Sequence, residues 1–228
     1  MVFSRTAGFG LAVSLLAAGL LLPTRARGQE AAAPTWTSLF DGKSLDGWSQ
    51  TDYAGVPEDA RVEDGTLILD MGPSGMSGVT RTAFKPRQGY EIGLEAMRVS
   101  GSDFFCGLTF PVGDDHCSLV VGGWGGSLVG LSSLDGLDAS QNETTSFMQF
   151  ENSIWYPIRV RVTPGRIQAW ISDKRIVDVQ TAERRISVRS EMDGSKPLGL
   201  STWHTKAALR QIRFRELSAA EIKADAVD

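Results

Sequence analysis

From residue 36 onward the chain consists of short runs of alternating apolar and polar residues, cut by turn-forming clusters about every ten residues, and this restricts it to β-architecture. Successive side chains of a strand point to opposite faces, so each alternating run supplies one face for a core and one for solvent. Residues 90–99 show the pattern most clearly. Tyr90, Ile92, Leu94 and Ala96 share one face, while Glu91, Gly93 and Glu95 share the other. Residues 103–110 alternate again. Residues 155–163 put Ile158, Val160 and Val162 opposite Arg159 and Arg161. Pro164-Gly165 turns that run into 166–172, and Asp173-Lys174 turns the next into 175–179, which gives a three-stranded meander. Further strands are expected at 66–71, 198–203 and 207–217. The tail from Ser218, with Glu221 three residues on and alanines after it, predicts a short C-terminal helix. No long helical periodicity and no fixed-period repeat is present, so the expected fold class is all-β, a sandwich or barrel.

The first residues carry a different signal. Arg5 precedes an apolar run over 7–22, Pro23 ends it, and Ala26-Arg27-Gly28 supplies small residues at a signal-peptidase site. Residues 1–28 are therefore expected to be a secretory signal, 29–35 an Ala/Pro linker, 36–217 the β-domain and 218–228 a helical tail. The protein is then periplasmic or secreted, with no membrane segment after cleavage. Losing Arg5, Arg25 and Arg27 moves the net charge from −4 to −7, with 20 basic against 27 acidic side chains remaining. Such a chain gives no electrostatic reason to expect nucleic acid or anionic lipid as a partner. Cys106 and Cys117 flank the turn sequence Pro111-Val112-Gly113-Asp114-Asp115, so across a hairpin they are either a disulfide or two buried thiols.

The opening WTSLFDGKSLDGW at 36–48 resembles that of a large bacterial family first described as domain of unknown function 1080, now 3-keto-disaccharide hydrolases or 3-keto-glucoside lyase/hydratases. VEDGTLIL at 62–69, YEIGLEA at 90–96, WYPIRVRVTPGRIQAWISDKRI at 155–176 and PLGLSTWHTKAALRQIRFREL at 197–217 extend the similarity over nearly the whole mature chain. The resemblance implies a two-sheet jelly-roll sandwich of the concanavalin A-like type, exported and acting on a carbohydrate partner. Two departures stand out. The stretch 102–110 keeps Gly107 but lacks the family's arginine, and Asp115-His116-Cys117-Ser118 opens the next strand without the expected glutamate.

Elimination from a 3-keto-glycoside needs a base near the acidified C2 proton, a donor or cation at the ketone oxygen, and an acid at the glycosidic oxygen. A hard divalent cation, Ca²⁺ or another, held by carboxylates would also stabilise the enolate, and Asp135 and Asp138 are candidate ligands or simply turn residues. Only two histidines exist. His204 lies where the resemblance implies a functional histidine, and His116 is either catalytic or a turn residue. Glu95 and His204 are the expected acid and base. Glu91 shares a face with Glu95, and Arg210 matches the family's closing arginine in a structural or oxyanion-directed role. Trp124, framed by Gly122-Gly123 and Gly125-Gly126, is expected to be a sugar-stacking platform or a lid, with Trp203 beside it. The alternative function is a non-catalytic glycan-binding or structural module.

Overall fold

In the computed structural model the described residues are 1–4, 8, 35–53, 56–57 and 60–225. Most of the signal sequence and nearly all of the linker expected from the sequence lie outside them. The compact unit containing the β-domain spans Pro34–Asp228.

Its strands are β1 (Thr37–Ser38), β2 (Ser49–Gln50), β3 (Asp52–Tyr53), β4 (Val56–Pro57), β5 (Ala60–Glu63) and β6 (Thr66–Leu69). They continue with β7 (Met76–Thr80), β8 (Tyr90–Gly101), β9 (Cys106–Val112), β10 (Asp115–Gly122), β11 (Leu128–Ser132) and β12 (Ser146–Phe147). The last are β13 (Tyr156–Thr163), β14 (Arg166–Ile171), β15 (Lys174–Gln180), β16 (Gly199–Trp203) and β17 (Thr205–Glu216), followed by a C-terminal helix, Ala219–Asp225. One antiparallel sheet has the order β15-β14-β13-β8-β17-β6-β5, with β1 added on β17. The other has the order β12-β11-β10-β9-β16-β7-β2, and β3 and β4 form a small hairpin. This is the expected two-sheet sandwich with a terminal helix.

The core follows from the alternation. Tyr90, Ile92, Leu94 and Ala96 of β8 face Leu108 and Phe110 of β9, Leu119 and Val121 of β10, and Val129 and Leu131 of β11 in one cluster of buried side chains. Burying aliphatic and aromatic side chains of this size stabilises the fold by about 1.5–3 kcal/mol each. The predicted meander is present as β13-β14-β15, with Ile158, Val160 and Val162 buried and Arg159 and Arg161 half-buried on the outer face. At the C-terminus Ser218 and Glu221 form the expected capping box: Glu221 Oε2 accepts the Ser218 N–H at 2.9 Å, and Ser218 Oγ accepts the Glu221 N–H at 3.3 Å.

The cysteine hairpin forms, but its register separates the thiols. Cys106 pairs with Val121 and Cys117 with Phe110, so the two cysteines are offset by four residues along neighbouring strands. Both are free and buried, which corrects the disulfide option. A separation of this kind exceeds what a disulfide spans.

Candidate functional site

The outer face of the second sheet carries the small residues. Inward positions hold Cys106, Leu108, Cys117, Leu119, Val129, Leu131 and Leu200, so the alternate positions Gly107, Ser118, Gly130, Ser132 and Ser201 point away from the core. These make a flat floor of hydroxyls and bare backbone. Gly107 is required there, because a Cβ would lie 2.4 Å from Ser201 Oγ and 3.1 Å from the Phe104 ring. Without it, Ser201 Oγ donates to the Gly107 carbonyl at 3.2 Å and Phe104 folds over the floor.

Residues 187–196 cross this face as a strap. At one side Ser187 exchanges two backbone hydrogen bonds with Ser133, just past β11. At the other, Thr80 Oγ1 donates to the Gly194 carbonyl at 2.9 Å and the Tyr53 hydroxyl lies 2.7 Å from Ser195 Oγ. Midway, Arg189 donates to Asp138 at 3.1 Å and to Glu191 at 2.9 Å. The Arg189 hydrogen bond holds the Glu191 carboxyl far below its ordinary range, at about 2.

Between the strap and the segments that lead into β9 and out of β10 lies a cavity of about 350 Å³, within the range of small-molecule sites. Ser118, Ser132 and Gly107 form its floor, Asp103, Arg189 and Glu191 its charged rim, and Met76, Phe104, Met192, Trp124 and Trp203 much of its wall. Trp124 stands in the left-handed region, φ 47° and ψ 56°, and is 46% exposed. Its loop is fastened by Asp103, whose Oδ1 accepts the Phe104 N–H at 2.8 Å and whose Oδ2 accepts the Gly125 N–H at 3.2 Å.

The residues singled out from the sequence fall into two groups. Trp124 and Trp203 line the cavity. His204 sits behind Trp203, its ring 4.3 Å away in an edge arrangement, also with positive φ, and beside Gly75. His116 points to the same outer face as Ser118 but stands beyond the strap, where burial and the nearby Lys196 charge press its pKa below the ordinary value. Glu91, Glu95 and Arg210 belong to the opposite sheet and point away from the sandwich. Glu95 accepts from Arg210 at 2.6 Å, and that guanidinium lies 4.0 Å over the Trp155 ring. Glu91 accepts from Arg159, Arg161 and Arg215 at 2.5, 2.8 and 2.6 Å. Burial alone would push its carboxyl up, but the three guanidinia outweigh that and hold it below the ordinary value. The structure does not bring Glu95 and His204 together: Glu95 pairs with Arg210 midway along β8, whereas His204 lies in the turn from β16 to β17, beyond the Gly101 end of the same strand. Both glutamates stay on one face, as the alternation required, but this face is occupied by arginine and tryptophan.

No ligand set for a divalent cation is present among the described residues. Asp135 is held by Arg184 and by the Arg185 N–H, and Asp138 by Ser140 and Arg189. Among the described residues no three His, Cys, Asp or Glu side chains converge as metal ligands. Sequence reasoning missed Asp103, Arg189, Glu191 and the serine floor. The alternation of Ser118 with Cys117 and Leu119 was a usable signal for the floor; nothing local marked the strap.

Several solved structures share this architecture. A putative glycosyl hydrolase from Parabacteroides distasonis is 14% identical over 80% of this chain and 94% of its own, with a TM-score of 0.51. The Crh5 transglycosylase in complex with NAG is 9% identical over 80% of this chain and 84% of its own, at 0.57. Domain 4 of the arabinanase AbnA from Geobacillus stearothermophilus, in complex with arabinotriose, is 12% identical over 81% and 96%, at 0.50. At such identities the likeness is one of fold. No curated protein matches the sequence. The family model of the 3-keto-alpha-glucoside-1,2-lyase-like domain matches residues 35–215, almost the whole β-unit, and the chain belongs to that family.

Proposed function

We propose that the protein is an exported carbohydrate-active enzyme that cleaves 3-keto-glycosides in the cavity between Trp124 and Trp203. The observation that carries this reading is the composition of that cavity. Two tryptophans offer faces for a pyranose ring, serine hydroxyls form the floor, and two carboxylates and one guanidinium stand at the rim. Family membership supplies the reaction type. In that reaction Asp103 takes the C2 proton. The electron pair left on C2 forms the C1–C2 double bond as the C1–O bond breaks, and the departing alkoxide takes a proton from solvent water. Arg189 stabilises the charge that spreads onto the ketone oxygen in the transition state. Water adding across the new double bond completes net hydrolysis.

A second reading, a glycan-binding module without turnover, is favoured by one feature: the Arg189 guanidinium is already paired with Asp138 and Glu191. Incubation of the mature protein with 3-keto-trehalose separates the two. Release of free sugar, undiminished by EDTA and abolished in Asp103→Asn, supports the enzyme. Calorimetric binding without any release moves the assignment to the module.

A further inference from the structure

The cavity is divided across the sheet, and the division reports on the shape of its ligand. Ser118 and Ser132 are directly paired on β10 and β11, and Arg189 reaches toward that side through Asp138. On the far side Trp203 of β16 is paired with Met76 of β7. There Met76 and Met192 join Tyr53 in a separate apolar cluster, against which Phe104, Val188 and Trp203 pack. One half of the cavity therefore offers hydroxyls and charge beside the single aliphatic side chain of Val120; the other offers thioethers and aromatic rings.

Resting on the reading of this cavity as a 3-keto-glycoside site, we infer that its preferred substrates are glycosides of an aromatic or similarly apolar alcohol, not disaccharides. A sugar ring fills the serine half, where its hydroxyls find partners. A second sugar in the Met76–Met192 half would stack one face on Trp203 but press its equatorial hydroxyls against methionine and phenylalanine. Each hydroxyl desolvated there without a partner weakens binding. A benzyl-sized group buries only carbon there and gains from it. Methionine side chains adapt to planar groups of differing outline, so the site accepts a range of such aglycones.

The test compares benzyl 3-keto-α-glucoside with 3-keto-trehalose, whose departing anomeric hydroxyl is the more acidic, so that leaving-group chemistry runs against the expected order, and the unoxidised pair benzyl α-glucoside and trehalose by calorimetry. The inference expects the benzyl compound to have the higher kcat/KM and the unoxidised benzyl glucoside to bind about tenfold more tightly. Met192→Gln in the strap and Met76→Gln on β7 should each narrow that preference, with folding checked by circular dichroism. Equal or tighter binding of trehalose overturns the inference. If neither keto-glycoside turns over while the benzyl preference persists in calorimetry, the proposed reaction fails and the ligand class stands.

Discussion

Trp124 holds a backbone conformation that costs a side-chain-bearing residue about 1–2 kcal/mol, and nothing in the core requires it. Strain of this kind at a cavity wall suits a residue retained for its ring rather than for stability. Trp124→Gly is accordingly expected to raise the thermal midpoint by about 2–4 °C and to weaken glycoside binding about tenfold. Scanning calorimetry and binding calorimetry on the same preparation read both. A lowered midpoint would show that the ring packs structurally. The glycine frame made this residue visible in the sequence. Asp103 was not visible, because its role depends on Gly125, which is remote in sequence and meets it only after the loops fold.

At the scale of elements, β8 was the most legible strand, and its buried and outward positions follow the alternation. What alternation does not encode is whether the outward face meets ligand or other side chains. Here the neighbouring strands β13 and β17 supply Arg159, Arg161 and Arg215 to Glu91, and the face becomes an ion-paired surface. Glu91→Gln leaves three guanidinia without their shared acceptor and is expected to lower unfolding stability by about 3–5 kcal/mol in urea titrations. Glycoside affinity of the folded fraction should stay unchanged, since the cavity lies across the sandwich. The C-terminal helix gives a pH-dependent counterpart. The Arg215 hydrogen bond holds the Glu221 carboxyl at about 2, below its ordinary 4.5. A depressed folded-state pKa contributes stability that is present above about 4.5 and lost as pH falls toward 2. Glu221→Gln should flatten the stability–pH curve within that window, and an unaltered slope would separate the helix from acid unfolding.

For the whole molecule, sheet membership and the terminal helix were legible because they rest on local periodicity and capping. The thiol register and the strap were not, since each depends on how distant segments align. Burial pushes both thiols up to about 12, so neither is reactive in the folded state. Ellman's reagent is expected to modify neither cysteine in buffer and both in guanidinium chloride, while reductant leaves the thermal midpoint unchanged. Modification under native conditions would mean that the β9–β10 hairpin opens readily.

The bridge of residues 187–196 also sets a limit on cargo. It rests on Thr80 and Tyr53 at one bank and on Ser133 at the other, so the trough is dammed partway along its length. A polymer lying lengthwise would run into this barrier. On the proposed function, only short molecules, or the free end of a longer one, come to rest beside Trp203.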